Sequence, residues 1–72
     1  MKDIDRAVEL LQPLFNGLAE DRNETVNVYT EKYYDEDFII VTIDNAKYEI
    51  NVTAENVRSI VQSVVNRVAL KL

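Results

Sequence analysis

Apolar residues recur at helical spacing near both ends of the chain. One stripe covers residues 4–18 and the other covers residues 57–68, with apolar positions three and four residues apart. This spacing is typical of a helix that buries one of its faces. Asp3 and Thr53 are the predicted N-caps. Pro13 predicts a kink or a break in the first helix, because it lacks a backbone N–H and crowds the preceding turn.

Between the two stripes, three segments have the composition and alternation of β-strands. They cover residues 25–30, 38–44 and 47–52 and are rich in β-branched and aromatic residues. Residues 33–37 form the first connection, and residues 44–46 form a tight turn. We therefore predict one α+β domain over the 72 residues, in the order α-β-β-β-α. It is a three-stranded antiparallel meander with both helices packed on one face.

The middle strand is apolar on both sides. Successive side chains of a strand point to opposite faces, so its six central residues divide into two sets. One set is Phe38, Ile40 and Thr42, and the other is Ile39, Val41 and Ile43. We expect the first set to meet the helices, together with Tyr48, Ile50 and Val52. The second set then lies on an open face of the sheet, with Tyr29 as a possible neighbour.

An open apolar face predicts contact with another molecule, because two helices can cover only one side of a small sheet. Burying one aliphatic side chain is worth roughly 1.5–3 kcal/mol, so three approach the stability of a small domain. We expect self-association through this face, which consists of Tyr29, Ile39, Val41 and Ile43. In the alternative, Tyr29 and the aliphatic stem of Lys47 shield a narrow stripe.

The charge of the chain limits the kinds of molecule that we expect it to bind. The formal net charge is −5, made up of −7 over residues 1–52 and +2 over residues 53–72. Neither part is a basic patch that would neutralise phosphates, so we expect no direct contact with nucleic acid. No apolar run approaches the ~20 residues that span a bilayer, and the first residues lack the apolar core of a signal peptide. We therefore expect a cytoplasmic protein without membrane contact.

Catalytic chemistry has little support in the sequence. The chain contains no histidine and no cysteine, which supply the commonest general bases and nucleophiles. Gly17 is the only glycine, so there is no phosphate-binding glycine loop. A pair of carboxylates could still act as in glycosidases, but the acidic residues occupy positions that caps and turns favour. We expect a protein that is not an enzyme and has no cofactor, no metal and no catalytic residue.

A second candidate contact surface combines tyrosines with carboxylates. Its residues are Glu31, Tyr33, Tyr34, Asp35, Glu36 and Asp37. Tyrosine offers contact area at low entropic cost, and carboxylates attract a basic partner. In the alternative, the segment is an ordinary solvated acidic loop. It lacks the spaced ligands and the glycine of a calcium-binding EF-hand loop.

Two families share features with this chain. The α-β-β-β-α order resembles that of double-stranded-RNA-binding domains, but the basic helix terminus and loop lysines of that family are missing. The order, size and acidity are also similar to those of some small phage-encoded inhibitors, including acidic anti-CRISPR proteins that occupy the basic groove of a nuclease. This second resemblance covers the general layout. It implies an alternative function, that of an anti-CRISPR-like or anti-restriction-like inhibitor that blocks a basic, nucleic-acid-binding surface of a host protein.

Overall fold

Two helices and one sheet make up the computed structural model, which describes residues 2–72. The elements are α1 (Asp3–Glu20), β1 (Val26–Tyr33), β2 (Glu36–Ile43), β3 (Ala46–Asn51) and α2 (Val57–Val68), followed by a 3-10 turn at Ala69–Lys71. The strands are antiparallel and lie in the order β1-β2-β3. The predicted α+β class, element order and meander are confirmed. Within residues 2–72, neither α-helix is long and apolar enough to cross a membrane.

Both helices pack on the same face of the sheet, as predicted, and enclose one apolar core. The helices contribute buried residues at helical spacing, namely Ala7, Leu11, Phe15 and Ala19 from α1 and Ile60, Val64 and Val68 from α2. The sheet and its extension contribute Val26, Val28, Ile39, Val41, Ile43, Ile50 and Val52. Since the α2 stripe is rich in β-branched valines, which are poor helix formers, its helical state depends on this packing.

The prediction of which sheet face meets the helices is wrong. Ile39, Val41 and Ile43 were expected on the open face, but they are at most 5% exposed and belong to the core. The turn between β2 and β3 has two residues rather than three, and it pairs Ile43 with Ala46. A change of one residue in the turn reverses which β2 side chains share a face with β3. Tyr48 therefore lies opposite Val41 rather than beside Ile40.

Ile40 lies on the opposite face of the sheet and is still completely buried. It does not belong to the core cluster between the sheet and the helices. Its direct cross-strand neighbours are Tyr29 on one side and Glu49 on the other. Phe38 and Thr42, two residues away along β2, are half-buried on the same face. Neighbouring side chains thus cover Ile40 without a second layer of structure.

Helix α1 continues through Pro13, so the predicted break does not occur. Pro13 is exposed, and the carbonyl of Glu9 that it leaves unbonded can reach water. The preceding residue, Gln12, joins the helix to the outer edge of β1. The Val28 N–H donates to Gln12 Oε1 at 2.8 Å, and Gln12 Nε2 donates to the Val26 carbonyl at 3.0 Å.

The caps of both helices differ from those predicted. Helix α1 begins at Asp3, and Lys2 occupies the N-cap position without a side-chain hydrogen bond. Helix α2 is capped by Asn56, whose Oδ1 accepts a hydrogen bond from the Ser59 N–H at 2.9 Å. Thr53 does not cap this helix, because a short loop separates it from the first turn. Ala54 in that loop has a φ of 61°, a left-handed conformation that ends the extended chain after β3.

Candidate protein-interaction site

Three separate segments meet at one end of the molecule. They are the start of α1, the β1–β2 hairpin, and the loop between β3 and α2, and side chains from all three line a common cleft. We call this region the acidic end. Its charged residues are Lys2, Asp3, Asp5, Glu31, Lys32, Asp35, Glu36, Asp37 and Glu55.

The acidic end carries the whole net charge of the protein. It contains seven acidic and two basic side chains, so its formal charge is −5, the same as that of the complete chain. The other six acidic and six basic side chains cancel one another. A concentration of one sign of charge raises the local density of oppositely charged partners and speeds their association.

The tip of the hairpin presents two tyrosine rings to solvent. Tyr33 pairs with Glu36, and the two residues between them, Tyr34 and Asp35, have φ angles of 49° and 53°. Positive φ at both central positions is the pattern of a type I′ turn, which favours asparagine and glycine. The predicted loop over residues 33–37 is therefore a two-residue turn. Tyr34 is 88% exposed, and its ring meets the Tyr33 ring edge-on with centroids 5.4 Å apart.

Hydrogen bonds fix the base of the hairpin against the loop after β3. The Asp37 N–H donates to Thr53 Oγ1 at 2.9 Å, and the Thr53 hydroxyl donates to Asn51 Oδ1 at 2.7 Å. Asn51 Nδ2 in turn donates to Glu36 Oε2 at 3.2 Å. Glu36 is therefore held in position although it is exposed.

The predicted site residues divide among three surfaces. Alternation along the paired strands places three of the six acidic-segment residues on the open sheet face, namely Glu31, Tyr33 and Glu36. Tyr34 and Asp35 form the turn, and Asp37 points to the helix side. Of the four residues predicted as a self-association interface, only Tyr29 lies on the open face, where it is 42% exposed. The structure thus places Tyr29 on the same face as half of the predicted acidic surface and separates it from Ile39, Val41 and Ile43.

A cleft of about 340 Å³ lies at the acidic end, on the helix side of the sheet. Ile4, Val52 and Ile60 give it an apolar floor, and the carboxylates of Asp5 and Glu55 are among those that line it. The half-buried Glu55 accepts a hydrogen bond from Ser63 Oγ at 3.2 Å. The sequence gives no signal for this cleft, because its residues come from distant segments and form no local motif.

An exposed aliphatic surface lies on the outer side of the helices. Leu10, Leu14 and Leu18 of α1 are each 44–47% exposed. The expected helical stripe counted Leu14 and Leu18 among the apolar positions that the helix buries, but both turn partly toward solvent. Leu10 lines an open groove of about 580 Å³ with three half-buried valines of α2, namely Val57, Val61 and Val65. Patches of this kind are typical of contact surfaces.

Comparisons with known proteins leave the function to be argued from the geometry. No protein-family model matches the chain. No curated protein and no solved structure matches it either.

Proposed function

We propose that this protein is a non-enzymatic interaction module that binds a basic surface of another protein through its acidic end. The observation that carries the proposal is the coincidence of the complete net charge of −5 with two exposed tyrosines in one region. Complementary charge speeds and orients an encounter, whereas aromatic side chains supply contact energy once water is excluded.

The conformation of Tyr34 also supports the proposal. A bulky residue in the left-handed region is unfavourable by roughly 1–2 kcal/mol, and asparagine or glycine would relieve that cost. Unfavourable backbone conformations persist at sites where a side chain must be presented in one direction. A ring that contacts a partner explains why tyrosine occupies the turn.

A basic nucleic-acid-binding groove is one surface of the proposed kind. Carboxylates spaced along a hairpin can occupy such a groove in place of phosphates, as the resemblance to acidic phage inhibitors implies. Tyr33 and Tyr34 would add the contacts that free phosphates lack. In this form of the proposal, the protein inhibits a host protein by blocking its access to nucleic acid.

A peptide-display experiment tests the proposal and does not require the partner to be identified first. Random peptides are selected on the immobilised protein, and the selected pool is measured on two double variants. One variant, Asp35→Asn with Glu36→Gln, neutralises the hairpin. The control, Glu20→Gln with Asp21→Asn, removes the same charge from exposed positions outside the acidic end.

We expect the selected peptides to be rich in lysine and arginine and to bind less tightly as salt increases. The hairpin variant should lose most of this binding, and the control should keep it. Peptides without a basic bias, or equal losses for the two variants, would show that the acidic end is not the binding surface.

The exposed leucines of α1 favour a second candidate function, which is self-association. The sheet-face version loses its main support, because three of its four residues lie in the core. Leu10 and the α2 valines around it offer an aliphatic surface instead. We propose this groove as the contact surface of a homodimer.

Sedimentation over a concentration series tests self-association. The change Leu10→Lys should shift a dimer to the mass of a monomer, because it places a charge in the apolar contact. Leu70→Lys is the matched control, since Leu70 is 91% exposed and lies outside the groove. A wild-type protein that stays monomeric at every concentration would eliminate this candidate.

A further inference from the structure

We propose that a basic, extended segment of the partner adds to the free edge of β1 as a fourth strand and places a lysine or arginine side chain in the cleft. This inference rests on the proposed function and specifies how the partner binds. It depends on the backbone direction at the edge of β1, the position of the cleft and the charge around it.

The second half of β1 has an unoccupied edge. The bonds between Gln12 and the backbone of Val26 and Val28 show that these residues direct their N–H and C=O groups away from β2. By the alternation of an antiparallel strand, Thr30 and Lys32 direct theirs the same way. No hydrogen bond joins the N–H of either residue to any other group within residues 2–72. Such an edge is a template for pairing with another extended chain.

The cleft lies where a side chain of the added strand would reach. Thr30 and Lys32 belong to the set of β1 residues that faces the helices, and both line the cleft. Directly opposed residues of antiparallel strands place their side chains on the same face. The residue that hydrogen-bonds to Thr30 would therefore direct its side chain toward the cleft.

The chemistry of the cleft selects a basic side chain. Its floor of Ile4, Val52 and Ile60 suits the aliphatic stem of lysine or arginine, and carboxylates such as Asp5 and Glu55 suit the charged head. Five acidic and two basic residues line the cleft, and the side chain of only one of the acidic residues, Glu31, belongs to the other face of the sheet, so an acidic side chain would be repelled. The free backbone edge selects an extended segment rather than a helix.

A five-residue peptide, acetyl-Thr-Val-Arg-Val-Thr-amide, is a suitable probe. If its arginine pairs with Thr30, the arginine N–H donates to β1 and the N–H of the next valine points away. Methylation of the arginine backbone nitrogen should then weaken binding by about tenfold or more, because a hydrogen bond is lost at a desolvated edge. Methylation of the valine nitrogen is the matched control and should change the affinity little.

NMR titration of the nitrogen-labelled protein locates the contact. We expect the largest amide shifts at Thr30 and Lys32, together with slower hydrogen exchange at both. The change Thr30→Pro should abolish these effects, whereas Thr30→Val keeps the N–H and should retain them. If Thr30→Pro does not fold, the comparison of the two methylated peptides decides alone.

The outcomes separate this inference from the proposed function. If the two methylated peptides bind equally, or no peptide shifts Thr30 and Lys32, strand addition is wrong. The proposed function survives that result if neutralising Asp35 and Glu36 still weakens binding more than the Glu20 and Asp21 control. If strand addition is seen but the two double variants bind alike, the contact at the β1 edge is supported and the hairpin carboxylates have no role in binding.

Discussion

At the scale of single residues, Tyr34 has a left-handed backbone conformation that tyrosine rarely adopts. It is also the most exposed aromatic side chain in residues 2–72. The neighbouring Asp35 tolerates a left-handed conformation well, but tyrosine does not. The sequence predicts a contact-forming tyrosine here, and that role stays a prediction. The sequence could not reveal the conformation, because the turn length depends on the pairing of Tyr33 with Glu36.

Replacing Tyr34 should increase the stability of the protein and weaken its binding to a partner. We expect Tyr34→Asn to raise the free energy of unfolding by about 1 kcal/mol, because asparagine accepts positive φ at little cost. The same change should weaken binding to the selected basic peptides. Urea denaturation measures the first effect, and Tyr33→Asn is the control because Tyr33 lies in an ordinary strand conformation. A loss of stability in Tyr34→Asn would mean that the ring stabilises the hairpin itself.

Gln12 supplies both a donor and an acceptor to the backbone of β1. We expect Gln12→Met to cost about 1–3 kcal/mol of stability, because the Val28 N–H and the Val26 carbonyl lose their partner in a partly buried position. Gln12→Glu should also destabilise the protein, since a carboxylate would face the Val26 carbonyl.

Asn16→Asp is the matched control for Gln12. It keeps an oxygen acceptor for Gln12 Nε2, which donates to Asn16 Oδ1 at 2.8 Å on the exposed surface. We expect its effect on the free energy of unfolding to stay within about 0.5 kcal/mol. Equal urea midpoints for the Met variant and the wild type would show that the hydrogen bonds of Gln12 add nothing to stability.

At the scale of elements, hydrophobic periodicity predicted every helix and strand, but it could not predict which sheet face meets the helices. The middle strand is apolar on both sides, so its own pattern carries no preference. The two-residue turn at Asp44 and Asn45 determines which face of β2 meets the helices, because it sets the partners of β2 in β3. Asp44 has a φ of 52°, and aspartate can adopt this conformation in a turn of two residues or of three. The sequence therefore does not fix the length of the turn.

Two adjacent isoleucines of β2 test this assignment. Both are completely buried, but Ile39 lies between the sheet and the helices whereas Ile40 lies on the uncovered face. We expect Ile39→Ala to cost about 2–5 kcal/mol, because the rigid core cannot close the cavity. Ile40→Ala should cost distinctly less, since the side chains around it can relax toward solvent. The reverse order in urea denaturation would favour the face assignment expected from the sequence.

At the scale of the whole molecule, folding changes the distribution of charge. Along the chain the charge divides into −7 and +2, but in space it divides into a region of −5 and a neutral remainder. Both helices begin at the acidic end, and an Arg22 Nη1 to Leu72 O bond of 2.6 Å joins the segments that follow them at the other end. The positive ends of both helix dipoles therefore face the carboxylates. No local motif in the sequence foretells this arrangement.

The carboxylates of the acidic end should then differ in their effect on stability. We expect Asp5→Asn to lower the free energy of unfolding by about 0.3–1 kcal/mol at low salt, because Asp5 lies in the first turn of α1. Asp35→Asn should be neutral or slightly stabilising, since Asp35 lies outside the helices, makes no salt bridge within residues 2–72 and has a φ of 53° that asparagine also tolerates. Thermal unfolding at low and high salt measures both, and the difference should shrink as salt is added. Equal effects of the two changes would rule out a role for the helix dipole.

The contact between Gln12 and β1 also limits how sheets of different molecules could pair edge to edge into fibrils. An exposed strand edge is the usual starting point of such aggregation. Because Gln12 occupies the backbone of Val26 and Val28, the part of the β1 edge left to pair with a foreign strand lies around Thr30 and Lys32. A strand paired along the whole of this edge would have to displace the side chain of Gln12. The same amide that leaves the end of β1 free for the proposed peptide therefore blocks pairing along the full length of the β1 edge.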